Sequence, residues 1–204
     1  MGDMTRLGPN EACLFGIASS QHGHFTTEQA RSCGYSASLV AHHAKTGRFR
    51  RLRRGLYRLR DYPSAPADHV VASWLALGGE PAAVSHASAL ALLGLSDIVA
   101  DRVHLTVPRS RRHLPRLPGA VVHTASRPLG RDEVTIRDGL LLTNAARSIL
   151  DAAEYGVAPE QIEAAMRQAT ARGLVTPSEL RERSRQRSPR VQKLVAQALH
   201  GAGQ

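Results

Sequence analysis

Arginine is concentrated in one short stretch of this 204-residue chain, between positions 48 and 60. Six arginines fall within the eleven residues from Arg48 to Arg58. A guanidinium group is always charged, and its planar fork of donors matches a phosphate or a carboxylate. Several such groups on one small surface displace counterions from a phosphate backbone and give salt-sensitive binding. The stretch therefore indicates a phosphate-binding surface.

The positive charge of the chain is unevenly distributed. Residues 1–60 hold ten Lys or Arg against three Asp or Glu, a balance of +7, whereas residues 61–204 hold seventeen against fourteen, a balance of +3. Arginine supplies twenty-five of the twenty-seven basic residues, which can follow from the base composition of the genome. Base composition explains the choice of arginine over lysine, but it does not explain the clustering.

Three helix patterns precede the basic stretch. Apolar residues at helical spacing predict a first helix over residues 11–21. The capping-box spacing from Thr26 to Gln29 predicts a second helix that ends near Cys33, and Ser36 can cap a third over residues 37–46. Arg54-Gly55 is the turn signal of a hairpin between two short strands. Helices followed by a basic hairpin indicate a winged helix-turn-helix, a module that usually binds double-stranded DNA.

The third helix has two unlike faces. At about 100° per residue, Val40, His43 and Ala44 share the side that packs, while Ser38, Ala41, His42 and Lys45 share the opposite side. Small residues on the second face permit close approach to a groove, and His42 and Lys45 can reach base edges or phosphates. None of them is the bidentate Arg or Asn that would specify one base, so no operator sequence is predicted. The predicted DNA-contact residues are Ser36, Ser38, His42, Lys45, Arg48, Arg50, Arg51, Arg53, Arg54 and Arg58.

The prolines of residues 62–66 predict a linker, which divides the chain into residues 1–62 and 67–204. The second part alternates predicted helices and strands, with an Asp-Gly hairpin signal at Asp138-Gly139. Ser85, Thr143 and Thr176 stand at predicted helix starts. The predicted fold class is α+β, with an N-terminal winged helix-turn-helix followed by a larger mixed α+β domain. The second part also carries two further basic stretches, at residues 108–113 and 181–190. Either could extend the DNA-contact surface or bind an acidic protein partner, but each taken alone is expected to be solvated surface.

Catalytic and metal-binding motifs are absent from the sequence. A carboxylate-type nuclease needs paired acidic residues and a nearby lysine, and the two lysines of the chain lie in the third and the last predicted helix. The ten histidines show no ligand spacing beyond His22-x-His24 and His42-His43. We therefore expect no catalytic residues, no metal site and no cofactor.

Three features of the sequence concern the cellular compartment of the protein. No segment reaches the ~20 consecutive apolar residues that span a bilayer, and the first twenty residues lack a signal-peptide pattern. Cys13 and Cys33 lie on predicted helix faces without CxxC spacing, so they are expected to be separate, packed thiols. These features predict a cytoplasmic protein with no membrane partner.

Several segments together resemble the AbiEi-type antitoxins of type IV toxin-antitoxin systems, also described as abortive-infection antitoxins. The matching segments are Gly23-His24-Phe25-Thr26-Thr27-Glu28-Gln29-Ala30, Arg51-Leu52-Arg53-Arg54-Gly55-Leu56-Tyr57-Arg58-Leu59, Val84-Ser85-His86-Ala87-Ser88-Ala89-Leu90, Val134-Thr135-Ile136-Arg137-Asp138-Gly139-Leu140 and Thr143-Asn144-Ala145-Ala146-Arg147-Ser148-Ile149-Leu150-Asp151. The similarity runs along nearly the whole chain. The hairpin motif alone is moderately specific, and the ordered set is much more so.

The resemblance implies a winged helix that binds inverted repeats in its own promoter and represses the operon. It also implies a C-terminal domain needed to neutralise a nucleotidyltransferase-like toxin, with or without direct contact between the two proteins. For the C-terminal domain it implies no functional residues. The alternative is a winged-helix transcriptional regulator whose C-terminal domain senses a ligand and has no toxin partner.

Overall fold

The computed structural model describes residues 8–114 and 116–201, which form two compact units. The first unit consists of the chain up to Gly79 together with Asp138–Leu140. The second consists of Glu80–Arg137 and the chain from Leu141 onward. Both units contain helices and strands, which confirms the predicted α+β class.

The first unit has the element order of a winged helix-turn-helix. Its elements are α1 (Glu11–Ser19), β1 (His24–Thr26), α2 (Thr27–Ser32), α3 (Ala37–Lys45), β2 (Phe49–Arg53), β3 (Leu56–Leu59) and α4 (Asp68–Ala76). The three strands form one antiparallel sheet in the order β1-β3-β2. Strands β2 and β3 make the predicted basic hairpin, with Gly55 at a φ of 78° in its turn. A positive φ is inexpensive only for glycine, so this residue suits the tight turn.

Local capping and an aromatic core fix the helices of this unit. The predicted capping box is present: the Gln29 backbone N–H donates to Thr26 Oγ1 at 3.2 Å, and the Thr26 N–H donates to Gln29 Oε1 at 2.8 Å. Phe25 is fully buried; its ring packs edge-on against Phe49, with centroids 4.9 Å apart, and stacks on Tyr57, with centroids 5.8 Å apart. Helices and sheet therefore share one core.

A disulfide links Cys13 of α1 to Cys33, the C-cap residue of α2. The expectation of two separate thiols is therefore wrong. Cys33 is buried as predicted, but it lies beside Cys13 because α1 and α2 pack together. The sequence separation of 20 residues carries no recognisable framework spacing, so sequence alone does not reveal this pairing.

Helix α4 belongs to the first unit, although it follows the predicted linker. Arg58 of β3 is buried and donates from Nη2 to Asp68 Oδ2 at 3.0 Å and to the Pro63 carbonyl at 2.8 Å. A buried guanidinium group needs such partners because an unpaired buried charge is very costly. By its contacts, therefore, the first unit extends past the predicted limit at residue 62.

The second unit is built around a five-stranded mixed sheet in the order β6-β5-β4-β8-β7. Strand β4 is antiparallel to β5 and parallel to β8, while β5 and β6 are parallel. The elements are β4 (Ala83–Val84), α5 (His86–Leu93), β5 (Val103–Pro108), β6 (Ala120–Ala125), β7 (Val134–Arg137), β8 (Leu140–Thr143), α6 (Ala145–Tyr155), α7 (Pro159–Ala171), α8 (Pro177–Ser184) and α9 (Pro189–Gly201).

Two helix starts differ from the prediction. Ser85 precedes α5 but makes no side-chain capping bond, because its Oγ is engaged by His86 and Thr106. The side chain of Asn144, rather than that of Thr143, caps α6 by accepting from the Arg147 N–H at 2.9 Å. The cap at Thr176 is confirmed, since it accepts from the Glu179 N–H at 3.1 Å.

Within the described part of the chain, no helix is both long enough and apolar enough to cross a bilayer.

Candidate functional site

The exposed face of α3 is the one that the sequence predicts. Ser38, Ala41, His42 and Lys45 are exposed, whereas Val40 on the opposite side is 1% exposed. The 3.6-residue period was sufficient for this prediction because α3 is a regular amphipathic helix.

The start and the packing of α3 hold that face in position. The Leu39 N–H donates to Ser36 Oγ at 3.1 Å, so Ser36 caps the helix, and Ser36 Oγ and Ser38 Oγ are 2.9 Å apart. Ser36 thus has a structural role at the position where the sequence also placed a DNA contact. His43 lies against Phe49, with ring centroids 5.0 Å apart, in agreement with its predicted place at the core.

The hairpin that follows α3 exposes several guanidinium groups. Arg50, Arg51 and Arg54 are exposed, and Arg53 is half-buried. The register of β2 against β3 shifts between Arg51, which pairs with Tyr57, and Arg53, which pairs with Leu56. Strand β2 therefore advances by two residues where β3 advances by one. Such a bulge lets side chains leave the sheet in directions that a regular strand would not allow. Helix α3 packs directly against β2, so the basic hairpin adjoins the exposed helix.

Two of the predicted contact residues already have carboxylate partners. Arg48 Nη2 lies 2.7 Å from Glu11 Oε2, and its side chain remains 48% exposed. This contact lowers the pKa of the Glu11 carboxyl, chiefly through the hydrogen bond from Arg48. Arg58 is different, because it is only 7% exposed and is held by Asp68. Its assignment as a DNA contact is therefore corrected: its side chain is buried within the unit and supports the sheet.

The second unit contains a polar cluster that the sequence did not indicate. The rings of His86, His104 and His123 lie together, with a nitrogen of each within 4.8 Å of the others. His86 and His123 stack with centroids 3.7 Å apart, and Tyr155 stands edge-on to all three rings. The residues come from the start of α5 and from β5 and β6, so no local spacing in the sequence could reveal them.

Burial keeps the three imidazoles of this histidine cluster neutral. It lowers the pKa of His86 from 6.5 to about 2, helped by the neighbouring histidines, and lowers the pKa of His123 to about 4. The pKa of His104 is also lowered, again mainly by burial. A neutral imidazole carries one N–H and one nitrogen lone pair. The cluster therefore offers lone pairs at neutral pH.

A network of ion pairs lies beside the histidine cluster. Glu133 is 3% exposed, and it accepts hydrogen bonds from Arg147 Nη1 at 2.8 Å and Arg127 Nη1 at 2.7 Å. Asp151 binds Arg147 Nε and Arg187 Nη2, each at 2.7 Å. Burial opposes ionisation of Glu133, but the Gly130 N–H and the two guanidinium groups outweigh it and lower its pKa from 4.5 to about 2. These hydrogen bonds thus keep the Glu133 carboxylate ionised.

Residues 14–60 match the family model described as "Transcriptional regulator, AbiEi antitoxin". This range contains α3 and the basic hairpin. No curated protein matches the chain significantly. The match supports antitoxin and transcription-regulator functions for this part of the chain. The similarity predicted beyond residue 60 stays a prediction.

Among solved structures, the chain is similar to the RV2827C protein from Mycobacterium tuberculosis. The TM-score is 0.61 and the identity 16%, over 94% of this chain and 76% of that chain. At this level of identity the similarity concerns the fold alone. The family match confirms, for residues 14–60, the resemblance to AbiEi antitoxins that the sequence motifs indicated.

Proposed function

We propose that the protein binds double-stranded DNA at inverted repeats in its own promoter and represses its operon. The observation that carries this proposal is the exposed polar face of α3 beside a hairpin with three exposed arginines. A helix of about this size fits the major groove, while an adjacent basic hairpin can follow the phosphates or enter the minor groove.

The two surfaces would have different tasks. His42 and Lys45 would contact base edges or nearby phosphates, and the short Ser38 would let the helix backbone approach the groove. Arg50, Arg51 and Arg54 would contact phosphates, which gives affinity without sequence preference. Arg53 belongs to the same hairpin and is less accessible. To contact a phosphate, Arg48 would have to break its ion pair with Glu11 or contact both groups at once.

The antitoxin part of the proposal concerns the second unit. We infer that it neutralises, directly or indirectly, a nucleotidyltransferase-like toxin from the same operon, and that the protein acts in the cytoplasm without catalysing a reaction. The family match at residues 14–60 supports an antitoxin in general terms. The rival function is a ligand-sensing transcriptional regulator with no toxin, and the histidine cluster with its adjacent cavity is the feature that favours it.

A salt titration tests the DNA-binding proposal. Replacing Arg50, Arg51 and Arg54 with Ala should weaken binding to the upstream promoter fragment in gel-shift or fluorescence-anisotropy measurements. Each lost phosphate contact reduces the slope of log K against log salt by about 0.9, so the triple variant should lose about 2 to 3 from that slope.

A matched control removes three exposed arginines of the second unit, Arg167, Arg181 and Arg185. This variant has the same net charge as the hairpin variant. Its salt slope should remain within about 0.5 of the wild-type value, because the proposal assigns no phosphate contact to these three side chains and the slope counts contacted phosphates. Equal losses in both variants would reject the hairpin as the DNA-contact surface and leave only a general charge effect.

Co-expression tests the antitoxin part. The gene immediately downstream should encode a nucleotidyltransferase-like protein that stops growth when expressed alone. Growth should recover when the full-length chain is co-expressed, and co-purification will show whether the two proteins touch. Absence of such a gene, or no rescue, would favour the ligand-sensing regulator.

A further inference from the structure

Three neighbouring strands of the second unit bring the three histidines of the cluster to one place. His104 lies on β5 and His123 on the adjacent parallel strand β6, where His123 pairs with Thr106. His86 follows β4, on the other side of β5, and the preceding Ser85 N–H donates to the His104 carbonyl at 3.0 Å. The cluster therefore rests on a hydrogen-bonded sheet, which is a rigid support for a ligand set.

We infer that His86, His104 and His123 form a binding site for a divalent transition-metal ion, with zinc as the best fit. His104 Nδ1 and His123 Nε2 are 3.0 Å apart. Two imidazole nitrogens that bind one tetrahedral zinc ion, each at about 2.0–2.1 Å, lie about 3.3 Å from one another. A small increase in this distance would let both atoms bind one ion. The ring of His86 stacks on that of His123, so His86 would also have to turn in order to direct its Nε2 at the same ion.

The hydrogen bonds around His86 fit a metal ligand. Ser85 Oγ lies 2.9 Å from His86 Nδ1 and accepts a hydrogen bond from Thr106 Oγ1 at 2.8 Å. A hydroxyl oxygen can accept two hydrogen bonds, so Ser85 can also accept one from His86 Nδ1–H. This tautomer leaves the lone pair on Nε2, and such an oriented second hydrogen bond is typical of metal-binding histidines.

The backbone of His86 adds a second observation. Its φ is 53°, in the left-handed region that costs an ordinary residue about 1 kcal/mol or more. Strained backbone of this kind persists where the surrounding structure holds it, and it is concentrated at binding sites. Here it places the first side chain of α5 against the rings of His104 and His123.

The site also has room for a further ligand. His86 and His123 line a cavity of about 270 Å³, which is sufficient for water or a small anion in the fourth position. Four charged side chains line the same cavity, Arg147, Arg187, Asp151 and Glu154, and their charges balance. The cavity therefore does not repel a cation through net charge. Three neutral imidazoles with an open position are a known zinc arrangement. According to the Irving–Williams order of affinities, Cu²⁺ and Ni²⁺ can also bind such nitrogen ligands.

The test uses the full-length chain without an affinity tag, stripped of metal and kept oxidised so that the Cys13–Cys33 bond is intact. Titration with Co²⁺ alone should give the visible bands of a tetrahedral complex and saturate at one ion per chain. Zn²⁺ should then displace Co²⁺, and calorimetry gives its Kd. Weak bands typical of octahedral Co²⁺, or no saturation at one equivalent, would overturn the inference.

Variants assign the binding to the cluster. His123→Gln and His104→Gln should each raise the Kd for Zn²⁺ at least tenfold, and Ser85→Ala about tenfold, because it removes the oriented hydrogen bond on His86. His113→Gln is the control, since His113 is an exposed histidine outside the cluster, and it should leave the Kd unchanged. Far-UV circular dichroism checks the fold of each variant.

His123 is only partly buried, so its replacement should preserve the fold even if His104→Gln does not. Unchanged Zn²⁺ affinity in a folded His123→Gln protein would refute the site. The inference is independent of the proposed DNA binding, because the titration needs no DNA and the three ligands all belong to the second unit.

Discussion

Glu133 should make the second unit sensitive to acid, and the size of the effect follows from its surroundings. The carboxylate is almost completely buried and is held by the Gly130 N–H, Arg127 and Arg147. These partners lower its pKa in the folded protein from 4.5 to about 2. At about 1.4 kcal/mol per pKa unit, that difference corresponds to a stabilisation of about 3 kcal/mol at neutral pH.

The sign of the pH dependence follows from linkage. Since the pKa is lower in the folded than in the unfolded protein, the stabilisation is present above about pH 4.5 and is lost as the pH falls from there towards about 2. Glu133→Gln removes the charge but nearly keeps the shape. The variant should lose about 2–3 kcal/mol of unfolding free energy at about pH 7, because two guanidinium groups lose their shared partner. At about pH 3 the difference from wild type should shrink by about 2 kcal/mol, to about 1 kcal/mol or less.

Urea unfolding followed by far-UV circular dichroism at the two pH values measures these differences. Glu182→Gln serves as the control, since Glu182 is exposed and the same charge is removed. It should change the unfolding free energy by less than about 0.5 kcal/mol at either pH. A Glu133→Gln protein as stable as wild type at neutral pH, or a loss that does not shrink in acid, would show that the ion pairs do not stabilise this unit.

Three further predictions concern the first unit. Replacing His42 and Lys45 with Ala should change the preference for promoter over scrambled DNA more than it changes nonspecific affinity, as competition binding will show; equal losses on both DNAs would contradict a role in base contact. Thr26→Ala should lower the unfolding free energy by about 1 kcal/mol because it removes the N-cap of α2, and an unchanged thermal midpoint would speak against this. Asp68→Asn should cost about 3 kcal/mol in denaturant unfolding, because it leaves the buried Arg58 without a carboxylate; Asp61→Asn, at an exposed position, is its control.

Local patterns were sufficient to predict the helix caps, the hairpin turn and the exposed face of α3 in the first unit. The capping box of Thr26 and Gln29, the cap at Ser36 and the exposed face of α3 all depend on residues at most four positions apart. The hairpin turn at Gly55 is equally local. In each case the backbone conformation and the sequence signal involve the same few residues, so single-sequence reasoning was reliable.

Contacts between distant residues were not predictable in the same way. In the sequence, Arg58 cannot be distinguished from the other arginines of the hairpin. Its partner Asp68 lies in α4, beyond the prolines that predicted a domain boundary. The histidine cluster needs the order of strands β4, β5 and β6, and β4 has only two residues. Period and spacing carry no information about such pairings, because sheet register is determined by the whole unit.

The ion pair between Arg58 and Asp68 decides where the chain can be cut. A fragment that stops at residue 62, as the prolines would suggest, keeps Arg58 in its buried position on β3 and removes both Asp68 and the Pro63 carbonyl. Such a fragment would contain every residue of the predicted DNA-contact set and still be prone to unfold. Shortened versions made for crystallisation with operator DNA should therefore retain helix α4.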